Sequence, residues 1–462
     1  MNPEVHTEKT IHSETLTAVS DTTTGTKRKG VERFNGLLTW MVRLLTGGVF
    51  LYSGFVKAVD PWGSLYKFNE YLAAMGINVW PNLVLAGVFI LFTAEFLIGV
   101  FLLSGSFRRT TPLACLAFMC VMLPLTLWVA VSDPVSDCGC FGDALIISNW
   151  ATFWKNVVLS VCGVWLLKNN RRCRCLVTPA LQWIACVATS LYIIIIGLIG
   201  FEYQPLIDFR PYQVGTVLFD ISDDGFSSEP SYRFIYEKDG VKHEFGEDDE
   251  LPDEADGWIY VSRREIKAST DSDALGSTEK NLRVWDEKGE EDLTDDLIEE
   301  SEGKDLYLLM PALSNVSIAS SYKINSLYTW ANKNDIRVSA IVAGSSAEID
   351  SWRDLSMAEY PIYTADDTAI KEVARGNPAV IYVENDTIVW KSTLKTLQTD
   401  DFLAPDITTD PRSFKRADNV TLYNITMIWI AIIMVLIVTS LLPYLKRTYL
   451  PVIFKSSHHK DR

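Results

Sequence analysis

The sequence predicts a mixed fold, in which an α-helical membrane bundle of six spans is joined to an α/β domain outside the bilayer. Six apolar runs reach the roughly 20 residues that a membrane helix needs. From residue 305 the segment before the last run alternates strand-like and helix-like patterns, which is typical of an α/β sheet. The predicted spans are 37–59, 82–103, 112–132, 150–167, 181–200 and 423–444.

Composition and charge exclude several classes of function. The chain has 462 residues and a net charge of −16, whereas a surface that binds nucleic acid would be basic. It has no glycine-rich phosphate loop, so we expect no bound nucleotide. The five histidines are scattered or terminal, which argues against a catalytic histidine and against a histidine-based metal centre. No metal site is predicted.

The basic residues of the short loops predict the orientation of the bundle, because Lys and Arg gather on the cytoplasmic side. Under a six-span topology all the basic clusters fall on one side, with both termini in the cytoplasm. The loop 133–149 and the segment 201–422 then lie in the periplasm, which makes the chain a multi-pass protein of the bacterial inner membrane. The clusters are Lys27–Lys29 with Arg33, Arg108 with Arg109, Lys168 with Arg171, Arg172 and Arg174, and Lys446 with Arg447 and Lys455.

Changes of composition divide the chain further. Residues 230–262 predict short strands with a hairpin turn at 237–240, and residues 265–304 predict a loop or a partly ordered acidic insert. A final helix is predicted from about residue 393. The predicted order is a disordered cytoplasmic tail 1–33, a four-span bundle 34–168, a fifth span 181–200, an external linker with a small β-rich acidic region 201–304, the α/β domain 305–405, a sixth span 423–444 and a cytoplasmic tail 445–462.

The loop between the third and fourth spans carries two thiols, Cys138 and Cys140, with a glycine between them. A disulfide between cysteines this close closes a very small ring, and such strained, exposed disulfides are the labile and catalytic kind. The predicted periplasmic side also permits disulfides. We interpret the two cysteines as a redox pair. The alternatives are an inert turn, or half of a metal site that lacks further soft ligands on the outer side.

Two lysines are predicted to lie close under this loop. Lys57 falls near the outer end of the first span, and Lys155 falls near the outer start of the fourth. An ammonium near a thiol lowers the thiol pKa and favours the nucleophilic thiolate. Together with the two cysteines, these lysines are the candidate catalytic residues. The alternatives are snorkelling to the headgroups and, for Lys57, a local ion pair with Asp60.

Two further charged residues lie inside predicted spans, where charges are costly and therefore functional candidates. Arg43 in the first span and Glu95 in the second have similar depths, so we expect them to pair inside the bundle. Such a pair either fixes the helix register or serves a proton or quinone role. The remaining cysteines are Cys115, Cys120, Cys162 and Cys186, expected to pack as small apolar groups in the spans, and Cys173 and Cys175, expected to stay reduced in a cytoplasmic loop without an assigned role.

Four short strings follow one another along the first four spans: Ser53-Gly54-Phe55-Val56-Lys57 with Asp60-Pro61, Glu95 with Gly99, Asp137 to Asp143, and Trp154-Lys155-Asn156. In this order and spacing they resemble the DoxX/MauE group of four-helix membrane proteins, over roughly residues 34–168. The resemblance implies a link to methylamine metabolism, since MauE proteins are implicated in maturing the disulfide-rich methylamine dehydrogenase. The same plan is similar to the vitamin K epoxide reductase group, which allows a quinone as electron acceptor.

A second resemblance concerns the α/β domain. Gly376-Asn377-Pro378-Ala379 enters a predicted strand that is followed by a hairpin. This pattern resembles the thioredoxin fold, and the resemblance implies that Pro378 is the cis proline beside the family's active site. The family's Cys-x-x-Cys is missing from the matching segment 311–321, and no cysteine lies beyond Cys186. The resemblance therefore implies a thioredoxin-like module that cannot exchange thiols by itself.

Three functions follow as hypotheses. The first is thiol–disulfide exchange in the envelope, or maturation of an exported protein, with Cys138 and Cys140 as the redox pair. The second is a non-enzymatic membrane scaffold that presents a redox-inactive thioredoxin-like domain. The third is a small-molecule transporter built on Arg43, Glu95 and Lys155. The expected partners are the lipid bilayer and either an envelope protein client or a thiol partner.

Overall fold

The computed structural model describes most of the chain, with several gaps. The predicted tail 1–33 lies outside the described residues, as does Cys138. The described residues are 34–133, 139–169, 175–219, 231–238, 241–246, 259–266, 282–299, 303–398, 402, 410–414 and 419–457.

Among these residues, six helices are long and apolar enough to cross a membrane, which confirms the six predicted spans. The last of them continues as helix to Ser457, so the predicted tail from 445 begins as part of this helix. The spanning helices are α1 (Phe34–Val59), α3 (Pro81–Ser104), α4 (Thr110–Ser132), α5 (Asn149–Lys168), α6 (Gln182–Glu202) and α11 (Asn419–Ser457).

The ends of the spanning helices carry ordinary start and stop signals. Pro81 opens α3, where its missing N–H costs no hydrogen bond. The Ser148 hydroxyl caps α5 by accepting from the Ala151 N–H at 3.3 Å. Gly105 ends α3 in the left-handed conformation, with φ of 69°. These residues mark both ends of α3 and the start of α5.

Helices α1 and α3 approach each other closely through two glycines. A Cβ added at Gly54 of α1 would lie 2.5 Å from the backbone nitrogen of Phe96, and one added at Gly99 of α3 would lie 2.4 Å from that of Leu51. Small residues at such crossings let two membrane helices pack backbone to backbone. The contact brings the polar residues of the two helices together.

A helix that the sequence patterns did not predict, α2 (Pro61–Ala74), follows α1 with only Asp60 between them. The Asp60 carboxylate caps α2 by accepting from the Gly63 N–H at 3.2 Å. The Trp62 ring stacks on Phe201 with centroids 4.7 Å apart, and its indole N–H donates to the Phe201 carbonyl. Helix α2 therefore packs against the last turn of α6.

The α/β domain, residues 303–398, is built on a five-stranded sheet of order β6-β5-β4-β7-β8. Strands β4, β5 and β6 are parallel and connected by helices, whereas β7 and β8 form an antiparallel hairpin. The predicted fold class, a helical membrane part with an external α/β domain, is confirmed. The elements are β4 (Lys304–Met310), α8 (Ser320–Lys333), β5 (Arg337–Val342), α9 (Ser346–Ser356), β6 (Ile362–Thr364), α10 (Asp367–Val373), β7 (Ala379–Glu384) and β8 (Thr387–Thr393).

Two details of this domain differ from the prediction. Strand β6 was not predicted, because its three residues are too few to show a period. The final helix predicted from about 393 is wrong for residues 393–398, where β8 runs to Thr393 and a turn follows. The peptide bond Asn377–Pro378 before β7 is cis.

Residues 231–238, 241–246 and 259–266 form a separate three-stranded antiparallel sheet, with the first of these strands in the centre. Its strands are β1 (Ser231–Lys238), β2 (Val241–Gly246) and β3 (Ile259–Ile266), with Lys238 opposite Val241 across the predicted hairpin. This sheet belongs to a compact unit of its own, Val217–Asn281.

The segment predicted as a loop or partly ordered insert, 265–304, contains regular structure. Residues 265 and 266 end β3, and residues 294–299 form α7 (Thr294–Glu299). Trp285 exchanges backbone hydrogen bonds with Thr364, at 2.8 and 2.9 Å. Trp285 therefore forms an isolated bridge to the edge of the α/β sheet at β6.

Candidate functional site

The loop that carries the cysteines turns tightly at two glycines. Gly139 and Gly142 both have left-handed backbones, with φ of 62° and 53°, and the Gly142 N–H donates to the Gly139 carbonyl at 3.1 Å. Left-handed positions favour glycine because it lacks Cβ. Cys140 lies buried between them. We name residues 139–143 the thiol loop.

A buried polar cluster lies directly under Cys140. Lys57 Nζ donates to the Cys140 carbonyl at 2.5 Å, to Ser53 Oγ at 2.7 Å and to the two Glu95 oxygens at 2.9 and 3.2 Å. Ser53 Oγ lies 2.8 Å from the same carbonyl. Ser53 and Lys57 stand one turn apart on α1, and Glu95 faces them from α3. One ammonium thus joins both helices to the thiol loop.

The electrostatics of this cluster are balanced. The side chains of Lys57 and Glu95 are each only 5% exposed, so their charges compensate each other in a place where neither meets bulk water. Desolvation makes such a pair costly to form, and the extra hydrogen bonds from Ser53 and Cys140 offset part of that cost. The lysine contacts the backbone of the thiol loop through the Cys140 carbonyl.

The expected pair of Arg43 with Glu95 is wrong. Arg43 donates to the carbonyls of Leu102 and Leu103 at the far end of α3, and Glu95 pairs with Lys57. Fourteen residues separate Arg43 from Lys57, about 21 Å along a helix. The predicted depths of Arg43 and Glu95 were counted from span ends that the sequence does not fix, so the distance between Arg43 and Glu95 was not apparent. The alternative pair of Lys57 with Asp60 is also not formed, because Asp60 binds another cation.

Lys155 contacts the thiol loop from the other side. Its ammonium lies 4.1 Å from the centroid of the Phe141 ring, within the range of a cation–π interaction. The Tyr52 ring packs against the same phenylalanine, with centroids 5.7 Å apart. Both predicted lysines therefore reach the thiol loop, Lys57 at Cys140 and Lys155 at Phe141.

The sequence patterns missed a third cation, Arg375 of the α/β domain. Its guanidinium contacts Asp60, with the shortest distance 2.6 Å, and Asp143 at 2.6 Å. Burial by itself would lower the pKa of Arg375, but the carboxylates of Asp60 and Asp143 outweigh burial and raise it. The same burial raises the pKa of neighbouring Tyr66 to about 12. The α/β domain thus lies on the thiol loop.

A second charged group ties the linker after α6 to the α/β domain. Asp208 binds Arg210 Nε at 2.7 Å and Lys391 Nζ at 2.6 Å. Burial opposes the ionised form, but the two cations lower the pKa of Asp208 to about 2. Burial and the charge of Arg210 lower the pKa of Lys391 to about 7. Arg210 and Arg375 also donate to one shared acceptor, the Lys371 carbonyl.

The other cysteines lie away from this site. Cys115 is buried within the bundle, Cys162 and Cys186 are half-buried, and Cys120 is exposed on its outer face. Cys175 Sγ lies 2.8 Å from the Gly105 carbonyl at the opposite end of the spans. Cys173 lies outside the described residues.

Comparison with known families accounts for the bundle. Residues 35–169 match the family described as methylamine utilisation protein MauE. The bundle of this membrane protein is therefore of the MauE type. Residues 230–268 match a second family, described as a domain of unknown function (DUF8463). No curated protein matches the chain.

The MauE match covers the residues that the bundle contributes to the site. Ser53, Lys57, Glu95, the thiol loop and Lys155 all fall within residues 35–169. Arg375 and the rest of the α/β domain lie outside it. The site therefore combines a MauE bundle with one cation from a domain that the family match does not cover.

The sequence carried one signal for Arg375. It directly precedes the string Gly376-Asn377-Pro378 that was singled out for its resemblance, and Asp60 and Asp143 stand in the strings of the bundle. Nothing in these strings says that they meet. One indirect indication of this contact in the sequence was the predicted placement of the thiol loop and the α/β domain on the same side of the membrane.

Proposed function

We propose that this MauE protein carries out thiol–disulfide exchange with protein partners, with Cys138 and Cys140 as the redox pair. The observation that carries the proposal is the hydrogen bond from the buried Lys57 ammonium to the Cys140 carbonyl. It fixes the backbone of one cysteine of the pair above the buried Lys57–Glu95 ion pair. The thiolate is the nucleophile in exchange, and the fixed backbone sets where the Cys140 thiol lies.

The exchange balances without a further oxidant. The thiolate of one cysteine of the redox pair attacks a partner's disulfide. One sulfur of the partner leaves and takes up a proton. The other cysteine of the redox pair then attacks the mixed disulfide, which closes the Cys138–Cys140 bond and releases the partner's other thiol. The partner gains the electrons and protons that the loop gives up. Run in reverse, the same steps oxidise a client dithiol.

The exchange proposed here uses protein thiols, and one small cavity lies beside the thiol loop among the described residues. The cavity between the thiol loop, the end of α1 and the linker has a volume of about 10 Å³ and is lined by residues such as Val56, Gly63 and Phe209. Such a space holds a water molecule at most. A quinone ring does not fit in this cavity, and the chemistry above involves protein thiols alone.

The place of the reaction is part of the proposal. The bias of Lys and Arg supports a periplasmic position for the thiol loop and the α/β domain at the inner membrane, on the side where disulfides persist. The α/β domain, thioredoxin-like in its predicted pattern and without cysteine, serves as a cover and contact surface for partners. The family's name refers to methylamine utilisation, which fits maturation of an exported, disulfide-containing client.

Alkylation trapping in native membranes tests this function. Membranes are poised with mixtures of oxidised and reduced glutathione, trapped with a mass-adding maleimide and mapped by mass spectrometry. We expect Cys138 and Cys140 to interconvert between dithiol and disulfide. A Cys140→Ser variant should accumulate mixed disulfides with envelope proteins through Cys138.

The matched control replaces two cysteines of the spans, Cys120→Ser and Cys162→Ser, which should leave the trapping pattern unchanged. If Cys138 and Cys140 never appear as a disulfide at any poise, the proposal is wrong. A non-enzymatic scaffold would then be the better account.

A further inference from the structure

The Arg375 guanidinium uses all its nitrogens at the junction of bundle and α/β domain. Nε lies 2.9 and 3.2 Å from the two Asp60 oxygens, and Nη2 lies 2.6 Å from both Asp60 Oδ2 and Asp143 Oδ2. Nη1 donates to the Lys371 carbonyl at 2.8 Å. A planar fork can bridge two carboxylates in this way, whereas a lysine offers one point of charge.

The two carboxylates come from different parts of the bundle. Asp60 separates α1 from α2 and caps the first turn of α2. Asp143 lies on the thiol loop, three residues after Cys140. Gly63 makes room for the cation, since a Cβ there would lie 3.1 Å from Arg375 Nη2. One arginine therefore holds the loop against the end of α1.

The linker fixes the arginine independently of the bundle's carboxylates. The Gln204 side chain accepts from the Arg375 N–H at 3.0 Å and donates to the Arg375 carbonyl at 2.6 Å. Behind it, the Asp208 group with Arg210 and Lys391 ties the linker to β8 and to the end of α10. The backbone of Arg375 is therefore held by contacts that do not involve the thiol loop.

We propose that Arg375 is a positioning residue for the thiol loop, supplied by the α/β domain. By binding Asp143 and Asp60 together it holds the loop in the turn that keeps Cys140 buried over Lys57. The α/β domain thereby completes the redox site without contributing a thiol. In relation to redox chemistry this rests on the proposed function, but the placement of the loop can be tested without it.

The rate at which a small alkylating agent modifies Cys140 reports on the loop. The measurement uses the full-length protein in lipid nanodiscs, in a Cys138→Ser background, so that no disulfide of the loop affects the result. We expect Arg375→Gln to raise the Cys140 rate about tenfold, the factor that corresponds to loss of the one charge-assisted hydrogen bond that Arg375 makes to the thiol loop, at Asp143. The rate at Cys175, at the opposite end of the bundle, should not change.

Asp143→Asn provides a milder second variant, because this side chain is 40% exposed and its loss leaves no deeply buried charge. It should raise the Cys140 rate in the same direction. If Arg375 acts through Asp143, the double variant should match Arg375→Gln and not show the product of the two effects. Arg412→Gln is the matched control, because Arg412 pairs with Glu384 on the exposed side of the same domain.

Three results would overturn the proposal. The Cys140 rate could change less than about twofold in both variants, a difference too small for a lost charged hydrogen bond. The rates at Cys140 and Cys175 could rise together, which would indicate general unfolding. The effects of Arg375→Gln and Asp143→Asn could also multiply. None of these readouts needs a Cys138–Cys140 disulfide, so failure of the proposed exchange would be seen separately.

Discussion

Lys57 Nζ lies 2.5 Å from the carbonyl oxygen of Cys140, a residue 83 positions later in the chain. The same ammonium binds Glu95 on a third element. A buried charge that bonds to the backbone restrains that backbone, since displacing it would remove one of the hydrogen bonds that offset the cost of burying the charge. The position of the thiol loop is thus coupled to an ion pair inside the bundle.

Removing the cation should destabilise the bundle strongly. Lys57→Met leaves the Glu95 carboxylate buried without its cation, and breaking a buried pair from one side costs about 3–5 kcal/mol. We expect the free energy of unfolding in detergent–lipid micelles to fall by that order. Replacing both residues, in Lys57→Met with Glu95→Leu, should recover most of the loss because no buried charge remains.

Lys67→Met is the control for this experiment. Lys67 pairs with Glu70 on α2, where the lysine side chain is 25% exposed and the glutamate side chain 46%. Exposed pairs contribute about 0–1 kcal/mol. Equal losses in Lys57→Met and Lys67→Met would mean that the buried pair does not support the bundle as described.

A larger residue at the close approach of α1 and α3 should also destabilise the bundle. Gly99→Ala places a methyl group 2.4 Å from the backbone nitrogen of Leu51, so the helices must separate. Overpacking of this kind costs about 1–3 kcal/mol, and it should also draw Glu95 away from Lys57. We expect a lower melting temperature together with faster alkylation of Cys140.

Gly87→Ala on the same helix is the matched control, because a Cβ at Gly87 meets nothing within 4 Å. It should leave stability unchanged or raise it slightly, since alanine favours helix over glycine. If the two variants behave alike, the close crossing of α1 and α3 is not needed for the site.

The fold could be predicted from sequence largely because its signals are local. Each span shows as an apolar run, and the strands and helices of the α/β domain show as alternating patterns. Helix α2 was missed because it is neither a long apolar run nor clearly amphipathic. Strand β6 was missed because its three residues gain their order from neighbours on the sheet, Ala340 to Val342 and Trp285.

The site was predicted only in part, for a related reason. Lys57 and Lys155 could be placed near the loop because both lie at span ends that were predicted to be on the same side as the loop. Partners inside the bundle depend on which helix faces meet, and depth alone led to Arg43 in place of Lys57 as the partner of Glu95. Arg375 lies 232 residues from Asp143, and no local pattern reports a contact over that distance.

The Asp208 group should make the stability of the α/β domain sensitive to acid. The pKa of Asp208 is about 2 in the folded chain, below the ordinary value near 3.9 for an unfolded chain. Between these values the unfolded chain binds more protons, so stability falls as the pH decreases. The stabilisation is fully present above about pH 4 and is lost as the pH falls through 2. Its size is about 2 kcal/mol.

Thermal unfolding of the full chain in detergent at pH 4.5, 3 and 2 would measure this effect. Asp208→Asn should be less stable at pH 4.5 and should show a flatter dependence on pH below it, because the titrating carboxylate is gone. Asp367→Asn is the control, since Asp367 pairs with Lys371 on the surface of α10 and is 48% exposed. Its acid profile should follow that of the unsubstituted protein. If Asp208→Asn kept the full acid dependence, that dependence would come from other carboxylates. The contacts of Asp208 with Arg210 and Lys391 would then not be the acid-sensitive link between α6 and β8.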